Sequence, residues 1–341
     1  MNKILVIGDL HFKEFLSYGD YIKDKRVAEK ESILKFIVSE AKDCDSIVLM
    51  GDNFDHRNNS AEVVRSFVEF IEKFGNKDVY ILSGNHEKKG DGKTAIDFLK
   101  EVKKSNWHIF TKITSGYEMQ GIRVDFVPFM LKSELEVETD EEAAKEIMKR
   151  CGDGSKILFH HHVVSGSLGD GGLSTEMFRE IVLPREELEK KYNLIIGGHI
   201  HFPHAKGKVV VTGSIFNNQV GEIEKCVWKI DPNNLLLEPI GLPGRKIYSF
   251  INPTDTDLSK LSKSSIIKVV ITDREADIEK LKKNLESFDA HILIEQYPNK
   301  RNKVHFEEGA LDLDIENLLK IYSEEKKVDL SSLIKGWKII K

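Results

Sequence analysis

The sequence predicts an α/β protein in which buried strands alternate with amphipathic helices. The segments 3–7, 46–50 and 78–82 are short, largely aliphatic runs, as expected for strands that are covered on both faces. Between them, the segments 24–41 and 63–74 carry apolar residues at helical spacing, which predicts one covering helix for each crossover. This β-α-β-α-β order is typical of a parallel sheet with helices packed on it.

Polar side chains follow the carboxyl end of each of these three strands. The pairs are Asp9 with His11, Asp52 with Asp55, and Asn85 with His86. The carboxyl ends of parallel strands meet at one edge of a sheet, where open α/β sheets place their ligands. We therefore expect Asp52, which comes directly after the strand 46–50, at the centre of a functional site.

Two later strands repeat this layout with histidines. The strands 156–159 and 193–196 are followed by His160, His161, His162, His199 and His201. Because structural histidines rarely recur at successive strand ends, the pattern predicts a metal centre. Imidazole, carboxylate and amide donors without a thiolate suit Mn, Fe, Co or Zn and do not select among them. One carboxylate can bridge two cations about 3.5–4 Å apart, a role that the order of the strands favours for Asp52.

Further strands and a helix are predicted in the remainder of residues 1–245. The helix covers 141–150, and the strands lie at 121–127, 208–211, 226–230 and 235–239. We expect the last three of these strands at the edge of a second sheet. The glycine-rich segment 165–172 is either a mobile lid or a flexible connector.

Length, charge and cysteine content limit the class of protein. The 341 residues suggest two domains, and a net charge of −5 gives no overall basic footprint for nucleic acid. Three cysteines without C-x-x-C spacing argue against a disulfide framework and a thiolate metal site. No segment approaches the ~18 apolar residues that a membrane span needs. We therefore expect a cytoplasmic protein without membrane contact.

The character of the sequence changes at about residue 245, which predicts a domain of residues 1–245 and a second one of residues 246–341. The second domain is predicted to contain a β-α-β module and two short helices, at 266–272, 276–288, 291–296, 312–322 and 330–339. It carries no cluster of metal-ligand residue types. We therefore expect it to shape the substrate site or to dock a partner.

The motifs together resemble the calcineurin-like metallophosphoesterases over residues 1–245. They are Asp9-x-His11, Gly51-Asp52-x-x-Asp55, Gly84-Asn85-His86-Glu87, His161 and Gly198-His199-x-His201, in this order. The resemblance implies a four-layer α/β/β/α sandwich with a two-metal centre, here followed by a smaller α+β capping module. It implies one metal held by Asp9, His11, Asp52 and His201, and a second held by Asp52, Asn85, His161 and His199. His86 would then stabilise or protonate the leaving oxygen.

Within this family, the motif Gly-Asp-x-Phe-Asp, with Phe54 at its fourth position, resembles the corresponding motif of the SbcD-type DNA repair exonuclease subunits and their phage recombination counterparts. That resemblance implies a metal-dependent DNA nuclease, with exonuclease or endonuclease activity and Mn first among its metals. It also implies a partnership with an SMC-like ATPase of the SbcC type, and a homodimer. Glu87, where the nuclease branch usually has Asp, favours a phosphatase or small-molecule phosphodiesterase instead. A scaffold subunit with a vestigial site is a further alternative.

Several residues near the motifs have open roles. Asp55 either orients a metal ligand or caps the helix that starts after 58–60, while His56 and Arg57 either contact substrate phosphate or lie on a solvated loop. Of the three consecutive histidines, His161 matches the family position. His160 would then lie on the opposite strand face and His162 on the rim of the site.

Overall fold

The structure is a computed structural model that describes residues 3–293, apart from 15, 18–22, 91, 103, 169–179, 219, 221, 223, 263–264, 272–277 and 287. Its helices are α1 (Lys23–Glu40), α2 (Ala61–Glu72), α3 (Lys132–Leu135), α4 (Asp140–Arg150), α5 (Arg185–Lys191), α6 (Asp255–Ser259) and α7 (Ile278–Leu285). None of these helices combines the length and apolar character needed to cross a membrane.

The strands of the first half are β1 (Ile4–Ile7), β2 (Ser46–Leu49), β3 (Asp78–Leu82), β4 (Trp107–Phe110), β5 (Thr114–Met119), β6 (Ile122–Val127), β7 (Ile157–His160) and β8 (Val163–Val164). Those of the second half are β9 (Val182–Leu183), β10 (Leu194–Gly197), β11 (His204–Lys206), β12 (Val209–Val211), β13 (Cys226–Asp231), β14 (Leu236–Gly241), β15 (Ile247–Ile251), β16 (Ile266–Val270) and β17 (Asp289–Leu293).

Two six-stranded sheets form the body of the fold. The first has the order β14-β13-β1-β2-β3-β4, and the second β11-β12-β10-β7-β6-β5. Strands β1 to β4 run parallel, as do β12, β10, β7 and β6. The prediction that 226–230 and 235–239 lie at the edge of the second sheet is wrong. Strand β13 pairs antiparallel with β1 in the first sheet, with Ile4 opposite Ile230, and β14 continues that sheet.

Alternation along the strands creates the layers. In β1, Ile4 and Val6 pack between the two sheets, whereas Leu5 and Ile7 pack under α1 and α2. The outer face of the second sheet is covered in the same way by α4 and α5, which bury Ile147 and Leu188. Strands buried on both faces read as continuous apolar runs, which is what the sequence shows. The result is the expected four-layer α/β/β/α sandwich.

A separate three-stranded parallel sheet, β15-β16-β17, follows residue 246 and has its own small core around Ile267 and Val269. The predicted strands at 266–272 and 291–296 correspond to β16 and β17, while β15 was not predicted. The chain divides into the compact units Met1–Glu295 and Gln296–Lys341. The predicted helices at 312–322 and 330–339 lie outside the described residues, and the domain boundary at 245 stays a prediction.

Candidate metal centre

The carboxyl ends of the central strands of both sheets meet at one end of the sandwich. His161, after β7, donates from Nδ1 to the carbonyl of Met50, after β2, at 2.7 Å. The backbone N–H of His199, after β10, donates to Asp9 Oδ1, after β1, at 3.1 Å. Backbone and side-chain hydrogen bonds thus join the two sheets where the motifs lie.

One group of donor atoms gathers around His11. Its Nε2 lies 2.8 Å from His201 Nε2 and 3.8 Å from Asp52 Oδ2. Asp9 Oδ2 lies 3.9 Å from His201 Nε2. Asp9, His11 and Asp52 are almost completely buried, so these groups are held in place by their surroundings. This group contains all four residues that the family resemblance assigns to the first metal.

A second group gathers around His161. Its Nε2 lies 3.3 Å from Asp52 Oδ2 and 3.1 Å from Asn85 Oδ1. The Asn85 oxygen is in turn 2.9 Å from His199 Nδ1. These are the residues that the family resemblance assigns to the second metal. Asp52 Oδ2 faces both groups, which is the position that a bridging carboxylate requires.

The spacing of these donors fits divalent cations. Bonds of about 2.1 Å place neighbouring donors about 3.0 Å apart at right angles and about 3.4 Å apart in a tetrahedron. The distances of 2.8–3.9 Å across the two groups are of this size. Ligand atoms from Asp9, His11 and His201, and from Asp52, His161 and His199, also lie within 4.8 Å of one another in each trio. The residues therefore fit a two-cation centre.

Buried charges couple His161 to Asp52. Burial opposes ionisation of the Asp52 carboxyl, but the neighbouring imidazoles of His161 and His11 outweigh it and lower its pKa. Burial likewise opposes a charge on His161, but the carboxylates of Asp52 and Asp9 raise its pKa to about 9. Burial, aided by repulsion from His11, lowers the pKa of His201 to about 3 and keeps that imidazole neutral, whereas His161 must release a proton before it can bind a cation.

The backbone of the site is strained at three candidate ligands. His11 and Asp52 have φ of 43°, and His199 has φ of 80°. Non-glycine residues rarely adopt this left-handed region, and they do so mostly where the surrounding structure holds them for a function. The loops that carry the first two are anchored by Phe12 and Phe54, whose buried rings pack on Phe67 of α2.

His86 stands at the edge of both groups. Its Nδ1–H donates to the carbonyl of Asp55 at 2.7 Å, and its backbone N–H donates to Asp52 Oδ1 at 2.9 Å. The other ring nitrogen, Nε2, lies 3.9 Å from Asp52 Oδ2, and the side chain is 39% exposed. The ring is thus oriented by its backbone partner and faces the cavity, the arrangement that a proton donor to substrate needs.

Only one of the three consecutive histidines reaches the donor groups. His160 is buried against Gly197, and its pKa falls to about 3 because of burial and repulsion from His161. His162 stacks on Phe129 at 5.1 Å, and its Nε2 accepts from the N–H of Met130. Contrary to the expectation, His162 is buried and does not lie on the rim.

Asp55 contacts a candidate ligand and does not cap helix α2. Its Oδ1 lies 3.2 Å from His11 Nδ1, while Ser60 caps α2 by accepting from Val63 N. His56 and Arg57 are exposed and line a cavity of about 600 Å³ beside His86. Five of the seven proposed ligands line an adjoining cavity of about 450 Å³, namely His11, Asp52, Asn85, His199 and His201. The two cavities share Asp55, Asn85 and His86.

The contacts of two carboxylates near the site could not be predicted from the sequence. Glu180 Oε2 lies 2.7 Å from His199 Nε2, a contact that no motif indicates because Glu180 precedes the short strand β9. Glu87 is buried and accepts from the backbone N–H groups of Gly84, Asn53 and Phe54. Burial and the nearby Asp52 raise the pKa of Glu87 to about 7. Glu87 therefore ties the β2 and β3 loops together and does not line the cavities.

Fold and site together define a metal-dependent hydrolase of the α/β/β/α class. The calcineurin-like phosphoesterase family matches residues 2–203, and the chain belongs to that family. It is accordingly a metal-dependent phosphoester hydrolase from a family that uses a dinuclear divalent metal centre.

Two solved structures are similar to the chain. A novel archaeal phosphodiesterase is 12% identical, with a TM-score of 0.35 and coverage of 70% of this chain and 99% of its own. A hypothetical protein from Pyrococcus horikoshii is also 12% identical, with a TM-score of 0.33 and coverage of 71% of this chain and 88% of its own.

Proposed function

We propose that the protein is a two-metal DNA nuclease, the nuclease subunit of an end-processing complex with an SMC-like ATPase. The observation that carries this proposal is the pair of cavities that meet at His86, of about 450 and 600 Å³. A phosphodiester has an ester substituent on each side of the phosphorus. Room on both sides of His86 therefore suits a chain substrate, whereas a phosphomonoester needs room on one side only.

The ligand assignment is part of the proposal. Asp9, His11, Asp52 and His201 would hold one cation, and Asp52, Asn85, His161 and His199 would hold the other. When bound, such a pair would act as a Lewis acid and would lower the pKa of a bound water to about neutral. The donor set admits Mn, Fe, Co or Zn, and Mn is the metal that we would supply first.

The chemistry assigned to the chain's own groups is a proton transfer. Water adds to the phosphorus, the P–O bond to the leaving nucleotide breaks, and the leaving oxygen takes the Nε2 proton of the His86 imidazolium. The added water releases one proton to solvent, and His86 takes up a proton from solvent before the next turnover. Because Nδ1–H is held by the Asp55 carbonyl, Nε2 is the nitrogen available for this step. Positioned acids of this kind contribute about 10²–10⁴-fold in rate.

His56 and Arg57 are proposed to contact the backbone phosphate of the nucleotide beyond His86. Both are exposed on the wall of the larger cavity. Lys88, on the same wall, has a different role because its Nζ is paired with both oxygens of Glu134 at 2.8 and 3.0 Å. Phosphate contacts of this kind position the strand without reading its sequence.

The partner and the compartment are also proposals. The parallel sheet β15-β16-β17 begins just beyond the catalytic sandwich and carries its own core, as a capping module would. An SMC-like ATPase is the partner to seek, with the segment after residue 293 as its docking region. All three cysteines are free thiols, which suits the reducing cytosol.

The phosphatase alternative rests on the identity of residue 87. Glu87 was the residue that favoured it, but its carboxylate accepts backbone N–H groups and does not line either cavity. The complete donor set likewise gives no specific reason to favour a vestigial scaffold.

The test compares Mn-dependent digestion of end-labelled single- and double-stranded DNA with hydrolysis of a small dye phosphodiester. Wild-type protein should release nucleotides from DNA. Arg57→Ala should raise KM for DNA by about tenfold, the size of one charge-assisted contact, and leave dye hydrolysis unchanged. Arg65→Ala, at an exposed arginine on α2, is the matched control. Hydrolysis of the dye but not of DNA would overturn the nuclease and leave a small-molecule phosphodiesterase.

A further inference from the structure

We propose that Glu180 is a positioning residue for metal binding, which orients the imidazole of His199 toward the second cation. This inference rests on the proposed ligand assignment. Glu180 Oε2 lies 2.7 Å from His199 Nε2, while His199 Nδ1 lies 2.9 Å from Asn85 Oδ1. The ring is therefore placed between a carboxylate on one side and the donor group around His161 on the other.

The contact sets the tautomer of His199. A carboxylate accepts hydrogen bonds and cannot donate them, so the proton of the neutral imidazole sits on Nε2. The lone pair is then on Nδ1, on the side of Asn85, where a metal ligand needs it. Loss of the carboxylate removes both the hydrogen bond that selects this tautomer and a negative charge that strengthens the ligand.

Glu180 is held in place by the same stretch of chain that carries His161. Strand β8 starts shortly after His161 and pairs in parallel with β9, which starts two residues after Glu180. The ladder sets Val163 opposite Val182, and the neighbouring Ile181 is buried in the core under the second sheet. Glu180 is thus tied to the core by its neighbours, which makes a fixed orienting role possible.

The other imidazoles at the site support this assignment. His161 Nδ1 lies 2.7 Å from the Met50 carbonyl, and His11 Nδ1 lies 3.2 Å from Asp55 Oδ1. In each case the nitrogen remote from the donor group faces an oxygen. Glu180 gives His199 the same kind of partner. Such partners of metal-bound histidines are typically worth about 10–100-fold in metal affinity.

The experiment is a calorimetric titration of metal-stripped protein with Mn²⁺. Wild type should bind two ions, and His199→Ala should identify which of the two binding events belongs to the second group. Glu180→Ala should weaken that same event by about 10–100-fold and leave the other unchanged. Glu180→Gln should weaken it less, because its amide oxygen still accepts from Nε2–H without the charge. Glu187→Gln, at an exposed position of α5, is the matched control and should bind as wild type.

Thermal unfolding of the metal-free variants separates positioning from folding, and it should show Glu180→Gln as stable as wild type. Wild-type affinity for both ions in Glu180→Ala would overturn the inference. Equal weakening of both binding events, or weakening only of the event that His199→Ala leaves intact, would also overturn it. A wild-type protein that binds no Mn²⁺ would overturn the ligand assignment itself, an outcome that is distinct from these.

Discussion

Replacing Gly198 with alanine tests whether the close approach of the two sheets builds the metal centre. A Cβ on Gly198 would lie 2.7 Å from Asp9 Oδ1, and 2.8 Å from both His161 Nδ1 and the Met50 carbonyl oxygen. Ordinary van der Waals contact begins at 3.4 Å, so the methyl group is about 0.7 Å too close. Asp9 and His161 are proposed ligands, and the Met50 carbonyl accepts the hydrogen bond that orients His161.

The expected effect follows from that overlap. A shift of about 0.7 Å exceeds the ~0.5 Å within which functional groups must be held, and misplacement by 1 Å can cost about 10²-fold in rate. Inserting a methylene-sized group into a close-packed region also costs about 1–3 kcal/mol of folding free energy. Gly198→Ala should therefore lose roughly 100-fold in phosphodiester hydrolysis and bind Mn²⁺ more weakly.

The assay is hydrolysis of a dye phosphodiester at saturating Mn²⁺, with Mn²⁺ affinity by calorimetry and the free energy of unfolding from urea denaturation of metal-free protein. Gly90→Ala is the control, because a Cβ at Gly90 meets nothing within 4 Å. It should lie within about 0.5 kcal/mol of wild type and keep full activity. Wild-type activity and metal affinity in Gly198→Ala would show that the two sheets do not approach closely enough at this point to exclude a methyl group.

Three further predictions concern the donor groups and their neighbours. Asp52→Asn removes the proposed bridging charge, so metal content by elemental analysis and hydrolysis should both fall while the circular dichroism spectrum is kept; retained activity would exclude the bridge. His86→Ser should lower kcat by about 10²–10⁴-fold with Mn²⁺ stoichiometry unchanged, and a lost ion would make His86 a ligand instead. His160→Leu should reduce the loss of folding stability that the metal-free protein undergoes as the pH falls. The pKa of His160 is lowered to about 3 by burial, against an unfolded value near 6.5, so its contribution to stability is present above pH 6.5 and is lost as the pH falls toward 3. The free energy of unfolding from urea denaturation, plotted against pH between these values, should have a slope that is smaller by about one bound proton in His160→Leu than in wild type. His56→Leu, at an exposed histidine, should keep the wild-type slope, and a wild-type slope in His160→Leu would contradict the prediction.

The candidate ligands could be found from the sequence because a local rule places them. Asp9, Asp52 and Asn85 each follow a short apolar strand, and parallel strands bring their carboxyl ends to one edge. The structure accordingly brings all seven proposed ligands together, although they are spread over nearly two hundred residues.

Sheet membership could not be read in the same way. The hairpin β13-β14 has an apolar pattern that suits either sheet, and its place beside β1 is decided by pairing such as Ile4 with Ile230. Strand β15 was missed because Ser249 interrupts its apolar residues and only Ile247 of its five residues is buried, so it lacks the continuous apolar run that marks the central strands.

Strand periodicity and strand-end chemistry involve neighbouring residues, so they were enough to predict the class of fold and a cluster of candidate donor residues, while the phosphoesterase family was predicted from the resemblance of the motifs. Three features of the site depend on tertiary packing: Glu180 faces His199, Glu87 ties the β2 and β3 loops together, and His162 is buried. No periodic pattern in the sequence relates the segments that meet in these contacts. The contacts therefore form only when the two sheets pack together and the strand ends come close to one another.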